Sequence, residues 1–238
     1  VHVLKGMDLT VKRGTVHTLM GENGAGKSTL MKILMGYQGY DSGTIEFDGK
    51  PLNTANIYVV LRQGISMIYQ ELNALDNMLV YENVFCGKEI GRGMVNIKDM
   101  CKETQDLLDQ LEITTIHPKD KVENLSLAQK QLLEIAKAIS HEAKVIIFDE
   151  PSAALTEAEI EELFKIIRDL REQQLGIVYI SHRMDEIKVI TDRVTVMRDG
   201  GYVGTLITKD CTKDDIINMM VGRVIYEEPK TKSMVPKD

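Results

Sequence analysis

The segment at residues 21–28, GENGAGKS, restricts the possible folds of this chain more than any other part of the sequence. It lies between an apolar run at 16–20 and a helix-like run at 29–35. Strand, glycine-rich turn and helix is the context that the phosphate-loop motif G-x-x-x-x-G-K-S requires. Glycines let backbone N–H groups turn toward phosphates, and the helix that follows adds the positive end of its dipole. The segment therefore predicts a nucleoside triphosphate site.

Two side chains of this loop have specific expected roles. Lys27 is expected to reach the β- and γ-phosphate oxygens, and the Ser28 hydroxyl is expected to ligate Mg²⁺. A glycine-rich turn that merely joins a strand to a helix is the alternative, and the GKS ending in this context argues against it. The predicted nucleotide contacts of this region are Gly21, Glu22, Asn23, Gly24, Ala25, Gly26, Lys27, Ser28 and Thr29.

Composition narrows the class of protein. The 238 residues allow one sizeable core with a smaller lobe attached. The net charge of −7 argues against a surface that coats nucleic acid, so we expect no nucleic-acid partner. Cys86, Cys101 and Cys211 have no paired spacing and indicate reduced thiols rather than a disulfide framework or metal site. There is no run of eighteen apolar residues, so we expect no membrane span.

The two ends of the sequence predict a piece of a longer polypeptide. The chain opens with Val1 inside a strand-like run. Residues 226–238 are polar and contain Pro229 and Pro236, a composition typical of a linker between domains.

Short apolar runs alternate with helical patterns, which predicts an α/β fold with a mainly parallel sheet covered on both faces. Apolar spacing from Ile160 to Leu170 predicts a helix, and Thr156 with Glu159 predicts its capping box. Residues 72–140 are helix-rich and are interpreted as a smaller lobe inserted into a core of 1–71 and 141–225. The predicted strands are 16–20, 44–47, 65–69, 145–148, 177–181 and 194–198.

A pair of carboxylates follows the buried strand-like run at 145–148. Asp149, at the strand's end, is expected to hold Mg²⁺ directly or through water, and Glu150 is placed to polarise an attacking water as a general base. An acidic strand-to-turn junction is the alternative. The phosphate loop upstream favours the catalytic interpretation.

Four further segments come after the phosphate loop along the chain. Gln70 follows a predicted strand, Leu125-Ser-Leu-Ala-Gln129 precedes a helical run, Pro151–Leu155 follows the second carboxylate, and His182 follows another strand. In this order they resemble the ATP-binding-cassette (ABC) ATPases. The resemblance implies a P-loop NTPase (RecA-like) core with an antiparallel β portion and an inserted helical lobe. It also implies that these segments are the Q-loop, signature, D-loop and switch histidine of that family.

A narrower resemblance covers nearly the whole chain. The segments at 22–26, 67–73, 150–156, 179–186 and 219–223 are similar to those of the monosaccharide-importer ATPases of the ribose, galactose and xylose type, nearest to the galactose/methyl-galactoside branch. In that family two cassettes are fused, and this chain resembles the first, with 226–238 leading to the second. Leu127 and Ala128 stand where the ABC signature has glycines, and Thr156 replaces the usual D-loop Asp, as in that importer family. The aromatic residue that stacks on adenine in these cassettes would precede Val1.

The family resemblance implies ATP and Mg²⁺ as cofactors, with ATP held between two cassettes. It implies catalytic roles for Glu150, His182 and Lys27. It further implies as partners a second cassette, an integral membrane permease and, indirectly, a periplasmic or extracellular sugar-binding protein, which predicts a peripheral location at the cytoplasmic face of the membrane. The remaining implied contacts are Ser28, Gln70 and Asp149 for the metal, and Gln70, Ser126 and Gln129 for the nucleotide.

Two alternative functions remain open. One is a soluble ABC ATPase acting on ribosomes or DNA. Only 97 residues separate Ser28 from Leu125, with no heptad run for a coiled coil, which argues against the DNA-repair type. The other is a regulatory cassette that binds ATP with little turnover, an alternative that the missing signature glycines keep open.

Overall fold

A six-stranded sheet forms the centre of the computed structural model, which describes residues 3–91 and 95–222. The strand order is β4-β5-β6-β1-β7-β8; β8 is antiparallel to β7, and all other neighbours are parallel. A separate antiparallel hairpin pairs β2 with β3. In chain order the strands are β1 (Val16–Met20), β2 (Glu46–Phe47), β3 (Lys50–Pro51), β4 (Ile65–Ile68), β5 (Val145–Asp149), β6 (Gly176–Ile180), β7 (Arg193–Arg198) and β8 (Gly201–Ile207).

Eight α-helices accompany these strands in the described part of the chain. They are α1 (Lys27–Leu34), α2 (Ile57–Gln63), α3 (Val80–Phe85), α4 (Ile97–Gln110), α5 (Leu127–Ser140), α6 (Glu157–Glu172), α7 (Met184–Ile190) and α8 (Lys213–Val221). None of the helices described is long and apolar enough to cross a membrane.

The central strands are buried on both faces. In β5, Ile146 and Phe148 join a cluster with α3, α4, α5 and α6, while Ile147 joins the cluster on the opposite face with α1 and α2. Tyr179 and Val178 of β6 divide in the same way. Alternate side chains of a strand point to opposite faces, so near-continuous apolar runs are what a parallel sheet covered on both sides requires.

Residues 72–140 contribute α3, α4 and α5 but no strand of the six-stranded sheet. The apolar side chains of these helices belong to the same buried cluster as the α6 face of the sheet. The division into a core and a helical lobe, with its boundaries, therefore stays a prediction.

The mainly parallel sheet with an antiparallel portion confirms the predicted fold class. The helix α6 has the predicted capping box, with the Glu159 N–H donating to Thr156 Oγ1. Strand β2 is shorter than the predicted 44–47, and β8 was not predicted because its glycines and partly exposed residues lack a buried apolar run. The predicted linker at 226–238, and Arg223 of the last motif, lie outside the described residues.

Candidate nucleotide site

Four adjacent parallel strands end at one edge of the sheet, and each is followed by a predicted site segment. From the outside inward, β4 leads to Gln70, β5 ends at Asp149, β6 leads to His182 and β1 leads to the phosphate loop. Ligands of open α/β sheets bind at the carboxyl ends of the strands. The topology therefore brings together segments that are up to about 160 residues apart in sequence.

Glycine is required at two positions of the phosphate loop for different reasons. A Cβ at Gly21 would lie 2.6 Å from the backbone oxygen of Met197, so the loop fits against β7 only without a side chain. Gly26 caps α1 in the left-handed region, at φ 99°, where other residues are strained. This turn starts α1 at Lys27 and directs the N-terminus of that helix toward the cavity described below.

The Lys27 side chain folds back over its own loop. Its ammonium donates to the backbone oxygens of Gly21 at 2.7 Å and Glu22 at 3.2 Å. Partial burial lowers the pKa of Lys27, while the negative charges of Glu150 and Asp149 act in the opposite direction. A half-buried cation thus lies beside two carboxylates, in an arrangement suited to binding an anion together with a metal ion.

A cavity of about 510 Å³ joins the ends of β1, β4 and β5. That volume falls within the range of small-molecule sites. Gly21 and Glu22 contribute backbone oxygens to Lys27 but do not line the cavity. Its lining comprises Val3, Asn23, Gly24, Ala25, Gly26, Lys27, Ser28, Thr29, Gln70, Asp149 and Glu150.

The three predicted metal ligands, Ser28, Gln70 and Asp149, all line this cavity. They offer a hydroxyl, an amide and a carboxylate, the oxygen donors that Mg²⁺ prefers, and they are few enough to leave positions for phosphate and water. Among the described residues, no group of three or more His, Cys, Asp or Glu side chains could hold a metal without such help. The donor set therefore fits a magnesium ion bound together with a nucleotide.

The electrostatics of Asp149 fit a site that is completed by a cation. Burial raises the pKa of Asp149 above its ordinary value; the neighbouring Glu150 carboxylate adds to this, and Lys27 opposes it. A cation bound at the carboxylate would favour its ionised form.

Glu150 has an unusual backbone conformation for a non-glycine residue. Its φ is 48°, in the left-handed region, which costs on the order of 1–3 kcal/mol. Its N–H donates to the Ile180 oxygen at 2.9 Å, which fixes the turn against the end of β6. This turn places Glu150 Oε1 3.3 Å from Nδ1 of His182, whose side chain is 61 % exposed. His182 does not line the cavity itself but reaches it through Glu150.

The signature segment lies apart from this cavity. Ser126 is the N-cap of α5: its Oγ accepts from the Gln129 N–H at 3.2 Å, and Gln129 Oε1 accepts from the Ser126 N–H at 2.9 Å. The Gln129 amide also donates to the Thr115 oxygen at 2.8 Å. Leu127, in place of a signature glycine, is 47 % exposed. Neither predicted signature contact lines the cavity of its own chain.

No role was predicted from the sequence for the residues that support Gln70 and His182. Tyr69 precedes Gln70, and its hydroxyl donates to Tyr37 Oη at 2.9 Å. Behind His182, the buried Glu186 accepts from the hydroxyls of Tyr179 and Ser181. In the sequence, Glu186 is an acidic residue three positions after the Ser-His-Arg that follows β6. Its residue type alone does not show that it is buried.

Comparisons with known proteins show the family to which the chain belongs. A sequence profile of the ABC transporter family matches residues 4–153, more than half of the chain. The chain is 51 % identical, over 97 % of its length, to a putative ribose/galactose/methyl galactoside import ATP-binding protein of Geobacillus kaustophilus. It is 45 % identical, over its full length, to a galactose/methyl galactoside import ATP-binding protein of Pasteurella multocida. It spans about half the length of these curated relatives, 47 % of each.

Solved structures give the same fold. A Clostridium perfringens protein described as part of the ABC transporter complex cbiONQ is 27 % identical, with a TM-score of 0.77 over 93 % of this chain and 90 % of that one. The ADP conformation of an ATP-binding cassette of an ABC transporter, at 24 % identity and a TM-score of 0.78, covers 93 % of both chains and supports the fold alone. The resemblance inferred from the ordered motifs is confirmed, and the chain belongs to the ABC transporter family as one of its ATP-binding domains.

Proposed function

We propose that this chain is an ATP-binding cassette whose ATP hydrolysis drives uptake of a monosaccharide through a membrane permease. The observation that carries the proposal is the convergence of Lys27, Ser28, Gln70, Asp149 and Glu150 on one cavity at the sheet edge. The import functions for which the relatives from Geobacillus and Pasteurella are named support the choice of substrate class.

Lys27 and the backbone N–H groups of the phosphate loop would bind and orient the phosphates. Ser28, Gln70 and Asp149 would hold Mg²⁺, which when bound supplies positive charge to neutralise the phosphate oxygens. Phosphoryl transfer depends on positioning and charge stabilisation, and a cavity whose donors are fixed by strand ends provides both.

Glu150 is the group that would orient the attacking water and accept its proton. Its carboxylate lies at the cavity wall, and its backbone is held in one conformation by the Ile180 oxygen. His182, 3.3 Å from that carboxylate, would contact the γ-phosphate and report its presence to the rest of the domain.

The signature segment would act on a second cassette. Ser126 and Gln129 lie at the start of α5 and do not line the cavity of their own chain, which supports a role in a site completed by another cassette. In that site the N-terminus of α5 would face the γ-phosphate held by the partner's phosphate loop.

A permease would dock beside the Q-loop. The segment at 71–79, directly after Gln70, exposes Leu75 and Met78 at 44 % and 37 %. Apolar side chains of this size on one short segment suit contact with an apolar partner. The permease would hold the cassette at the cytoplasmic face of the membrane, and the sugar-binding protein would act through the permease without touching this chain.

A second candidate function is a regulatory cassette that binds ATP with little turnover. The exposed Leu127 favours it, because a bulky side chain at the start of α5 hinders close approach of backbone amides to a phosphate. Steady-state ATP turnover by the natural polypeptide in its membrane complex separates the two functions.

The import proposal is tested by affinity purification of the natural polypeptide from detergent-solubilised native membranes, with bound proteins identified by mass spectrometry. We expect a multi-spanning permease to be recovered. Recovery of ribosomes or DNA-repair proteins without an integral membrane protein would contradict the proposal and favour a soluble ABC ATPase.

A further inference from the structure

The turn that carries His182 is supported by a buried carboxylate to which the proposed mechanism gives no role. Glu186 lies in the first turn of α7 and is 4 % exposed. A buried carboxylate is costly unless its oxygens are paired or hydrogen-bonded. The partners of Glu186 therefore show what it stabilises.

Both carboxylate oxygens of Glu186 have partners in the segment 179–183, where β6 ends and α7 begins. Oε2 accepts from the hydroxyls of Tyr179 and Ser181, each at 2.9 Å. Oε1 lies 3.0 Å from Nη1 of Arg183, an ion pair without the alignment of a hydrogen bond. The carboxylate thus contacts residues before and after His182 but not His182 itself.

These contacts join the residue before His182 to the residue after it. Ser181 Oγ, held by Glu186, accepts from the Arg183 N–H at 3.0 Å, so one hydroxyl spans the peptide units on either side of His182. Fixing both neighbours limits the backbone freedom of the residue between them. The imidazole consequently keeps its place 3.3 Å from Glu150 Oε1.

The same network reaches the loop that follows Glu150. Arg183 Nη1 donates to the Ser152 oxygen at 3.5 Å, and Ser152 is 2 % exposed. Removing the Glu186 charge would leave this guanidinium without its buried counter-ion. The loop at 151–155 and the His182 turn are therefore connected through one arginine that Glu186 holds.

We propose that Glu186 is a positioning residue for ATP hydrolysis, which fixes the His182 turn and, through Arg183, the loop after Glu150. The inference rests on the proposed function for its effect on turnover. Its effect on the placement of His182 follows from the contacts alone.

The test compares Glu186→Gln with Asp185→Asn. Gln keeps the size of the side chain and an oxygen for the two hydroxyls but presents no charge to Arg183. Asp185 is the matched control, because it lies one residue away in the same turn but is 91 % exposed and pairs with Lys213. In the natural polypeptide we expect Glu186→Gln to lower kcat about tenfold with KM for ATP within twofold, since misplacement of a contact affects the reaction more than binding.

A second readout needs no turnover. In this 238-residue chain with ¹⁵N-labelled histidine, the His182 signals are assigned by their loss in His182→Gln. We expect Glu186→Gln to shift and broaden them, with the buried His17 signals unchanged, and Asp185→Asn to leave both as in the wild type. Unchanged His182 signals together with unchanged kcat in Glu186→Gln would overturn the proposal.

Loss of the His17 signals would show that Glu186→Gln does not fold, and Ser181→Ala and Tyr179→Phe then take its place. Each removes one donor to Glu186, and only Ser181 also spans His182, so we expect a larger change in the His182 signals for Ser181→Ala. Equal, wild-type signals in both would overturn the proposal. A wild-type protein without ATP turnover would contradict the proposed function alone, because the histidine signals test the positioning role separately.

Discussion

The phosphate loop and the signature segment each begin a helix, but the two helix N-termini are satisfied in different ways. At α1 the cap is Gly26, which has no side chain to accept from the first N–H groups. At α5, Ser126 and Gln129 form a reciprocal capping box. It satisfies two N–H groups at the start of α5, those of Ser126 and Gln129 themselves. The first turn of a helix has four N–H groups without backbone partners, so α1 offers its donors to a ligand while α5 satisfies part of its own.

This difference separates two kinds of binding region in one chain. The α1 region, which is the phosphate loop and the first turn of α1, forms a cavity with the ends of neighbouring strands. The charged groups Lys27 and Asp149 at this cavity are partly buried. The α5 region, which is the signature segment at the start of α5, exposes Leu127 and lines no part of that cavity. The comparison supports the proposal that the α1 region binds nucleotide within one chain and that the α5 region acts on a second cassette.

The largest expected effect is on turnover at the α1 region. Glu150→Gln should keep ATP binding and lower kcat about 10²–10³-fold, the usual effect of removing one preorganised catalytic group. Measurement of steady-state ATPase activity and ATP affinity in the natural polypeptide checks this. Glu157→Gln, an exposed carboxylate at the start of α6, is the control and should hydrolyse ATP as the wild type does. Normal turnover in Glu150→Gln would show that another group is the base.

The second effect is on the pH dependence of stability in the strand that carries the phosphate loop. His17 of β1 is 1 % exposed, with Nε2 2.7 Å from Thr195 Oγ1 and Nδ1 3.0 Å from the Thr10 oxygen. Burial lowers its pKa from 6.5 to about 4. Above pH 6.5 both the folded and the unfolded chain hold it neutral, so the stability is complete. As the pH falls toward 4, only the unfolded chain takes up the proton, and the free energy of unfolding decreases by about 3 kcal/mol.

Urea unfolding between pH 7.5 and 4.5 measures this loss. His17→Gln should flatten the curve, whereas His117→Gln, at an exposed position, should keep the wild-type slope. Some slope remains in His17→Gln, because burial also lowers the pKa of His141. Equal slopes in the two variants would contradict the assignment to His17.

The third effect concerns the close approach of the phosphate loop to β7. Gly21→Ala places a Cβ 2.6 Å from the Met197 oxygen, so we expect a loss of about 1–3 kcal/mol in unfolding free energy, as for other overpacked sites, and weaker ATP binding. Gly39→Ala is the control, since a Cβ there meets no atom within 4 Å. Thermal unfolding and ATP titration of both variants measure the effects, and unchanged values for Gly21→Ala would show that the loop tolerates a side chain.

The smallest effect concerns the signature cap. Ser126→Ala should cost about 1 kcal/mol of stability, the usual value of an N-cap, and leave ATP binding by this chain unchanged. Thr212→Ala removes a matched capping box at α8 and should cost a similar amount. In the natural polypeptide only Ser126→Ala should also reduce ATP turnover. Equal turnover in the two variants would mean that Ser126 is a structural cap and nothing more.

Sequence predicted the buried parallel strands of the sheet and the phosphate-loop side of the site because their signals are local. The run at 16–20 and the glycines after it have one structural interpretation, and buried parallel strands are apolar on both faces. Strand order, and hence the meeting of Gln70 with Asp149, came only from the structure, since hydrophobic patterns carry no information about neighbours.

The residues that hold the site in place could not be predicted from the sequence, for a physical reason. Glu186 has the same residue type as many exposed carboxylates of this acidic chain, and its burial depends on the packing of α7 against the end of β6. The positive φ of Glu150 likewise accompanies a hydrogen bond from its N–H to the end of the neighbouring strand β6. Features set by how one element packs against another leave little trace in the local pattern.

The measurement that tests the comparison most directly is calorimetric titration of ATP with Mg²⁺ into this chain and its Lys27→Ala and Ser126→Ala variants. Lys27→Ala removes charge-assisted contacts worth about 1.5–3 kcal/mol, so we predict at least tenfold weaker binding, with wild-type affinity for Ser126→Ala. Wild-type affinity in Lys27→Ala, or an equal loss in both variants, would contradict a nucleotide site formed by the α1 region alone.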